Sequence, residues 1–266
     1  MTKLERRIWM RKSFRGAGQS RQILNVQKIA VIGLLGALTI ILGLTPLGFI
    51  PIGPTRATIM HIPVIIGGIL YGPVVGGLTG FVFGLFSLFN AVANPTPTSF
   101  AFIHPLVSIV PRVLIGVVAH FVYRWSQKLS PRLIKFIFGT LWIGIIGYLL
   151  FHTGQALMQK NWLTAGSHLF LTGIGGVIAY FIWHVWKEDA MQTVLAAVFG
   201  TLTNTFGVLG MIYILFAERF VAAMGLSTDL LGQVIFGVGL VNGIPEVILS
   251  VLIVTSVVRA LKKYVN

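Results

Sequence analysis

The sequence contains no cysteine and very little acidic charge. Six Asp and Glu stand against twenty Lys and Arg in 266 residues, and charged residues make up only 10% of the chain. The absence of cysteine excludes disulfides and thiolate metal sites. Soluble domains carry about 25% charged residues, so the scarcity of charge excludes a soluble domain of ordinary composition.

Apolar residues dominate what is present. They make up 56% of the chain, and the mean hydropathy is +0.90. Alternating ten-residue strands of the membrane-barrel type are missing, so the spans are predicted to be helical. We predict an all-α integral membrane protein with eight spans, at about 27–44, 58–70, 74–91, 103–125, 133–157, 166–186, 191–217 and 233–261.

The basic residues are placed as in a membrane protein whose two termini are both cytoplasmic. Under this topology sixteen of the twenty Lys and Arg lie inside, eight of them within residues 3–28, as the positive-inside rule requires. They lack interleaved aromatics and any recognition motif, so nucleic-acid binding is not expected. The tail over 1–26 is instead expected to lie on the lipid bilayer, and the first span is expected to be retained.

The predicted spans divide the chain into four segments. A basic cytoplasmic tail covers 1–26, four spans cover 27–130, an inserted transmembrane hairpin covers 131–188, and two last spans with a basic end cover 189–266.

Catalytic motifs are missing as well. The chain has no phosphate-binding Gly-x-x-x-x-Gly-Lys-Ser/Thr loop and no His-Glu-x-x-His pair for a metalloprotease. None of the six histidines has metal-ligand spacing with another. We therefore predict no enzyme activity, no metal site and no cofactor.

Two ionisable residues fall unambiguously at membrane depth, Arg112 and Glu246. Such groups are costly in lipid and generally face a cavity or a partner. At 1.5 Å per residue the two lie at depths that allow them to meet. Asn204 and Asn242 add polar groups at a similar depth, which predicts a polar pocket open to the outside. A structural ion pair that joins two helices is the alternative.

A polar, proline-broken stretch precedes the span that carries Arg112. It runs from Asn94 to His104 and separates two strongly apolar segments. Under the predicted topology it faces outward, so Thr98, Ser99 and His104 become candidate contacts at the mouth of the pocket.

Several ordered phrases in the sequence resemble one family, the substrate-binding S-components of energy-coupling factor (ECF) vitamin transporters. The resemblance covers 27–125 and 190–263. It rests on the phrases ATIMHIPVIIGGILYGP from Ala57, GLTGFVFGLFSL from Gly77, PTSF from Pro97, PRVLIG from Pro111, GTLTNT from Gly200 and NGIPE from Asn242.

The resemblance implies a six-helix module in a prokaryotic plasma membrane that captures a vitamin from outside with high affinity. The module would then dock on a membrane-embedded coupling protein that two cytoplasmic ATPases drive. Small residues of the first helix would form the docking face, here Ala30, Gly33 and Ala37. The hairpin over 131–188 departs from the family's six helices and puts the docking geometry in question.

Within the family, the loop PTPTSF and the helix TNT look most like the pantothenate-type branch, and an anionic vitamin would suit Arg56 and Arg112. If Arg112 is neutralised by Glu246, other vitamins stay open. The candidate substrate-binding residues are Arg56, Asn94, Thr98, Ser99, His104, Arg112, Asn204, Asn242 and Glu246. The alternatives are a secondary transporter or channel gated by an Arg112–Glu246 pair, or a structural membrane scaffold.

Overall fold

The computed structural model describes residues 24–52, 55–184 and 188–265 of the chain. The basic tail predicted over 1–26 lies outside these residues up to position 23.

The regular elements of the described chain are ten α-helices, one antiparallel strand pair and two short 3₁₀ helices, Pro46–Gly48 and Thr228–Leu230. The strands are β1 Phe49–Ile52 and β2 Thr55–Thr58, with Phe49 opposite Thr58 and Ile52 opposite Thr55. The helices are α1 Val26–Leu44, α2 Ile62–Tyr71, α3 Pro73–Ala93, α4 Ser99–Ile103, α5 Pro105–Ser108, α6 Val110–Ser126, α7 Pro131–Met158, α8 Trp162–His184, α9 Glu188–Ala223 and α10 Leu231–Val265.

Capping residues and prolines set several helix boundaries. The Asn25 side chain accepts a hydrogen bond from the Lys28 backbone N–H at 2.9 Å and caps α1. Gly72 lies between α2 and α3 and has φ +98°. This left-handed conformation ends α2, and it favours glycine because a side chain would be strained there. Helix α3 then starts at Pro73, where a missing N–H costs nothing.

Seven helical segments of the described chain are long and apolar enough to cross a membrane, with α5 and α6 counted together. The all-α membrane class is therefore confirmed, although β1 and β2 form in the predicted loop 45–57. Helix α2 has ten residues and is about 15 Å long, about half the thickness of the hydrocarbon core. The count of eight predicted spans thus includes one half-length helix.

Helix α2 lies at the centre of the bundle. It packs against α1, α3, α6, α9 and α10. Apart from Leu70 and Tyr71 its residues are all buried, and Val64 and Ile65 are completely so. A short helix surrounded by protein satisfies its polar backbone and buries its apolar side chains without spanning the bilayer.

Glycines bring α3 into direct backbone contact with α6. A Cβ atom at Gly80 would collide with the Arg112 carbonyl, and one at Gly84 would lie 2.8 Å from Ile109 Cα. A Cβ atom at Gly116 would collide with the backbone of Gly76. The four-residue glycine spacing therefore serves close helix packing, as it does in many membrane proteins.

Helices α7 and α8 form a hairpin whose two helices pack on one another. Trp142 donates from Nε1 to the Gly175 carbonyl at 2.9 Å, and its ring stacks on Phe138 at 4.9 Å. Against the rest of the bundle the hairpin packs on α9 and α10, whereas α1 packs on α2 and α3. The hairpin and α1 thus rest on different helices of the bundle.

The strand pair, α4, α5 and the turn between α9 and α10 gather at one end of the bundle, here called the loop end (described residues 45–52, 55–61, 94–109 and 224–230). Near it, α9 is interrupted at Phe216, where φ is −144° and ψ is 19°. Since α1 runs toward the loop end and α10 runs away from it, the described chain begins and ends at the opposite end.

Substitution of Gly116 tests the glycine contact. Gly116→Ala is expected to destabilise the bundle by about 1 to 3 kcal/mol, because the added methyl overpacks a backbone contact. The thermal unfolding midpoint in detergent measures the loss. Gly147→Ala is the matched control, since a Cβ there meets nothing within 4 Å, and equal midpoints for both variants would contradict the contact.

Candidate binding site

Two adjoining pockets that share part of their lining, here called the two lobes of one cavity, lie at the loop end of the bundle. One lobe has a volume of about 290 Å³ and the other about 320 Å³, each near the lower end of the range for small-molecule pockets. Four residues line both lobes: Thr58, Phe102, Arg112 and Asn204. These residues mark the waist at which the two lobes meet.

Arg112 on α6 supplies the positive charge at this waist. Its side chain is only 6% exposed, and Nη1 donates to the Val107 carbonyl at 2.5 Å. The guanidinium carbon lies 5.6 Å from the ring centre of Phe83 and 5.8 Å from that of Phe102. Its Nε has no hydrogen-bond partner among the described residues. The cation is thus fixed in place and retains an unused donor.

Glu246 on α10 supplies the negative charge, in the second lobe. Its Oε1 accepts from the Thr58 backbone N–H at 3.0 Å and from the Thr58 hydroxyl at 2.8 Å. Oε2 lies 3.3 Å from the Thr205 hydroxyl, whose single hydrogen is shared with the Thr201 carbonyl at the same distance. Three donors therefore compensate a carboxylate that is 5% exposed.

Glycines on α10 place Glu246 beside α9. A Cβ at Gly243 would lie 3.2 Å from the Thr205 methyl group, and one at Gly239 would lie 3.0 Å from a methyl of Leu209. Because neither glycine carries a side chain, α9 approaches closely enough for the Thr205 hydroxyl to reach the carboxylate.

Arg112 and Glu246 line the same lobe without a hydrogen bond between them. In the part of the chain that the structure describes, the Glu246 oxygens bond to Thr58 and Thr205, and the Arg112 donor bonds to Val107. Both side chains face the second lobe. The structure thus offers no direct ion pair that would join α6 to α10.

Comparison with known proteins shows the family of this chain. Residues 27–160 match the family described as ECF transporter, substrate-specific component. The chain belongs to this family of S-components. It is accordingly a membrane protein and a component of a transport system.

Two transporters are similar over much of this S-component. A pantothenic acid transporter, PanT, of Lactococcus lactis subsp. cremoris is 27% identical over 227 residues, which cover 80% of this chain and 81% of the relative. A pantothenate transporter, PanT, of Leuconostoc mesenteroides subsp. mesenteroides is 28% identical over 152 residues, which cover 52% of this chain and 72% of the relative.

Most of the predicted polar residues line the cavity of the S-component. Asn94 and Ser99 line the first lobe, Thr98 and Asn242 line the second, and Asn204 lines both. The Ser99 hydroxyl accepts from the Thr96 backbone N–H at 2.8 Å. Asn204 is 8% exposed, and its Oδ1 has no hydrogen-bond partner among the described residues.

Two predicted residues do not contribute to the described lining. His104 lies outside the lining residues of both lobes and contacts the Phe216 ring edge to face at 5.6 Å. Phe216 lies where α9 is interrupted. The backbone of Arg56 belongs to β2, but its side chain lies outside the described residues.

Several residues of the lining were not predicted from the sequence. Ser87 and Asn90 lie on α3 in the first lobe together with Asn94. Their spacing of three and four residues puts polar groups on one face of a largely apolar helix, and this pattern could have predicted them as lining residues. Thr58 lines both lobes, but its role depends on the strand pair and left no pattern in the sequence.

Ala30, Gly33 and Ala37, the predicted docking residues, are exposed on α1. A Cβ at Gly33 would meet nothing within 4 Å. Within the described ranges no three His, Cys, Asp or Glu side chains cluster as metal ligands would.

Thiol labelling tests whether water reaches the cavity. Because the chain has no cysteine, Ser87→Cys introduces a single thiol into the first lobe. We expect it to react with a small hydrophilic methanethiosulfonate far faster than Thr79→Cys on the same helix, since Thr79 is fully buried outside the cavity. Mass spectrometry measures both rates, and equal rates would argue against a hydrated lobe.

Proposed function

We propose that this S-component captures pantothenate, or a closely related carboxylate vitamin, in the two-lobed cavity and delivers it to an ATP-driven ECF module. The observation that carries the proposal is Arg112. It is a buried cation at the waist of the cavity, with an unused donor and no carboxylate bonded to it among the described residues.

A ligand carboxylate is the partner that such a cation favours. Arginine presents several N–H donors in a rigid fork that matches a carboxylate, and charge-assisted hydrogen bonds are among the strongest. The faces of Phe83 and Phe102 add cation–π attraction, which stabilises the charge without consuming its donors. Arg112 therefore stays available for an anion that enters the cavity.

The remaining lining suits the rest of a pantothenate molecule, which carries an amide, two hydroxyls and a dimethyl group. Asn204 and Asn242 can donate to or accept from hydroxyl and amide groups. Phe83 and Phe86 supply apolar surface for methyl groups. The names of the two relatives point to the same vitamin.

Delivery requires a surface for the coupling protein. The exposed small residues of α1, Ala30, Gly33 and Ala37, allow another helix to approach closely. The hairpin packs on α9 and α10 and α1 packs on α2 and α3, so the hairpin need not obstruct this face. With cytoplasmic termini, the cavity opens outward and the module binds from the membrane plane.

The carboxylate assignment is tested with pantothenol, in which an alcohol replaces the carboxylate of pantothenate. The wild-type protein should prefer pantothenate, and Arg112→Met should lose about ten- to hundredfold in affinity for pantothenate while pantothenol binding changes little. Arg112→Lys should lie between them, because it keeps the charge without the fork. Calorimetric titration in detergent measures the affinity for both ligands. Unchanged pantothenate binding by a folded Arg112→Met variant would contradict the role of Arg112 as the carboxylate-binding residue.

Uptake assays test delivery and separate it from the alternative of a self-sufficient transporter. In proteoliposomes the isolated chain should bind vitamin without sustained uptake, whereas addition of the coupling protein, both ATPases and ATP should produce uptake. Gly33→Leu should keep the binding and lose most of the uptake. Gly147→Leu, the same change in open space on the hairpin, should keep both. Uptake by the isolated chain under an ion gradient would instead favour a secondary transporter.

A further inference from the structure

Thr58 connects the strand pair to the wall of the cavity. It is the last residue of β2 and pairs with Phe49 of β1. Both its backbone N–H and its hydroxyl donate to the same oxygen of Glu246, and β2 packs against α10. The β1–β2 hairpin is thereby attached to α10 at the rim of the cavity.

The segment between the β1–β2 hairpin and α2 is held at both ends. Thr58 bonds to Glu246 at its beginning, and His61 at its end shares a hydrogen bond of 3.1 Å between Nε2 and the Thr201 hydroxyl on α9. His61 is fully buried, as is most of α2 after it. Loss of the Thr58 contact would therefore detach the end of β2 from α10 while His61 and the core still hold α2.

Glu246 depends mainly on Thr58 for its hydrogen bonds. It is not hydrogen-bonded to Arg112, and the Thr205 hydroxyl fills its second oxygen only in part. A carboxylate buried at this depth needs donors, because an unpartnered charge in a bundle of apolar helices is strongly disfavoured. Thr58 supplies two of the three donors, so the Glu246 carboxylate and the β1–β2 hairpin stabilise one another.

We infer that Glu246 is a positioning residue: its hydrogen bonds to Thr58 hold the β1–β2 hairpin at the rim of the cavity and set how often the cavity opens. The part of this inference that concerns ligand exchange rests on the proposed function, since it takes the cavity as the vitamin site. The part that concerns the position of the β1–β2 hairpin does not depend on the proposed function.

Hydrogen exchange measures the hairpin without any ligand. In Glu246→Leu, peptides that cover residues 45–59 should lose protection by at least about tenfold, because local opening becomes frequent. Peptides from α2 should exchange as in the wild type and serve as the internal control. Glu246→Gln should restore most of the protection, because its amide oxygen still accepts from Thr58. Ser250→Ala, one turn farther along α10 and also buried, is the matched control and should change nothing.

Thr58→Val provides a second route if Glu246→Leu does not fold. It removes the hydroxyl donor, keeps the N–H, and should give an intermediate loss of protection. Combined with Glu246→Gln it should be non-additive, because both changes weaken one contact. Wild-type protection of 45–59 in folded Thr58→Val, or in folded Glu246→Leu, would overturn the inference.

The rate of ligand dissociation provides a further test of the inference. Pantothenate should dissociate faster from Thr58→Val than from the wild type in stopped-flow measurements, with a smaller change in association rate. If wild-type protein fails to bind pantothenate while the exchange results hold, the proposed function fails and the positioning role of Glu246 stands. If pantothenate binds but its dissociation is unchanged in Thr58→Val, the hairpin does not control exchange.

Discussion

The backbone contact between α3 and α6 determines where the functional groups of this S-component lie. Helices in lipid gain little from the hydrophobic effect, so close packing through small residues holds them together. Here Gly76, Gly80 and Gly84 form the contact surface of α3. The Arg112 backbone rests directly against Gly80, and this contact aims the guanidinium between two phenylalanine rings at the waist of the cavity. Any side chain at Gly80 would displace the helix that carries the charge.

Separate stabilisation of two opposite charges is the second principle of the site. Arg112 is stabilised by a carbonyl and by aromatic faces, and Glu246 by three neutral donors. An ion pair would have neutralised both within the protein and left the cavity without a net preference. Because their partners are uncharged, the field of each reaches into the cavity. An elongated ligand with an anionic end and a hydroxyl-bearing end matches that polarity.

Much of this arrangement could be predicted from the sequence, because length and polarity act locally. Apolar runs predicted the long helices, and polar residues at membrane depth predicted Arg112, Asn204, Asn242 and Glu246 as neighbours. Depth along a helix gives height but not direction around the axis, so whether Arg112 faced Glu246 could not be derived. The Thr58 contact depends on the register of two short strands. The position of His104 depends on a break at Phe216 in a stretch, 211–219, that carries neither proline nor glycine.

The α7–α8 hairpin lies apart from the cavity, and its packing explains why the two are independent. Among the described residues, none that lines the cavity belongs to it, and its two helices bond to one another through Trp142 and Gly175. It rests on α9 and α10, while α1 rests on α2 and α3. Two consecutive helices that run in opposite directions return the chain to its starting side, so α9 and α10 bring Asn204 and Glu246 to the cavity. The hairpin therefore enlarges the lipid-facing perimeter and leaves the geometry of the cavity to the other helices.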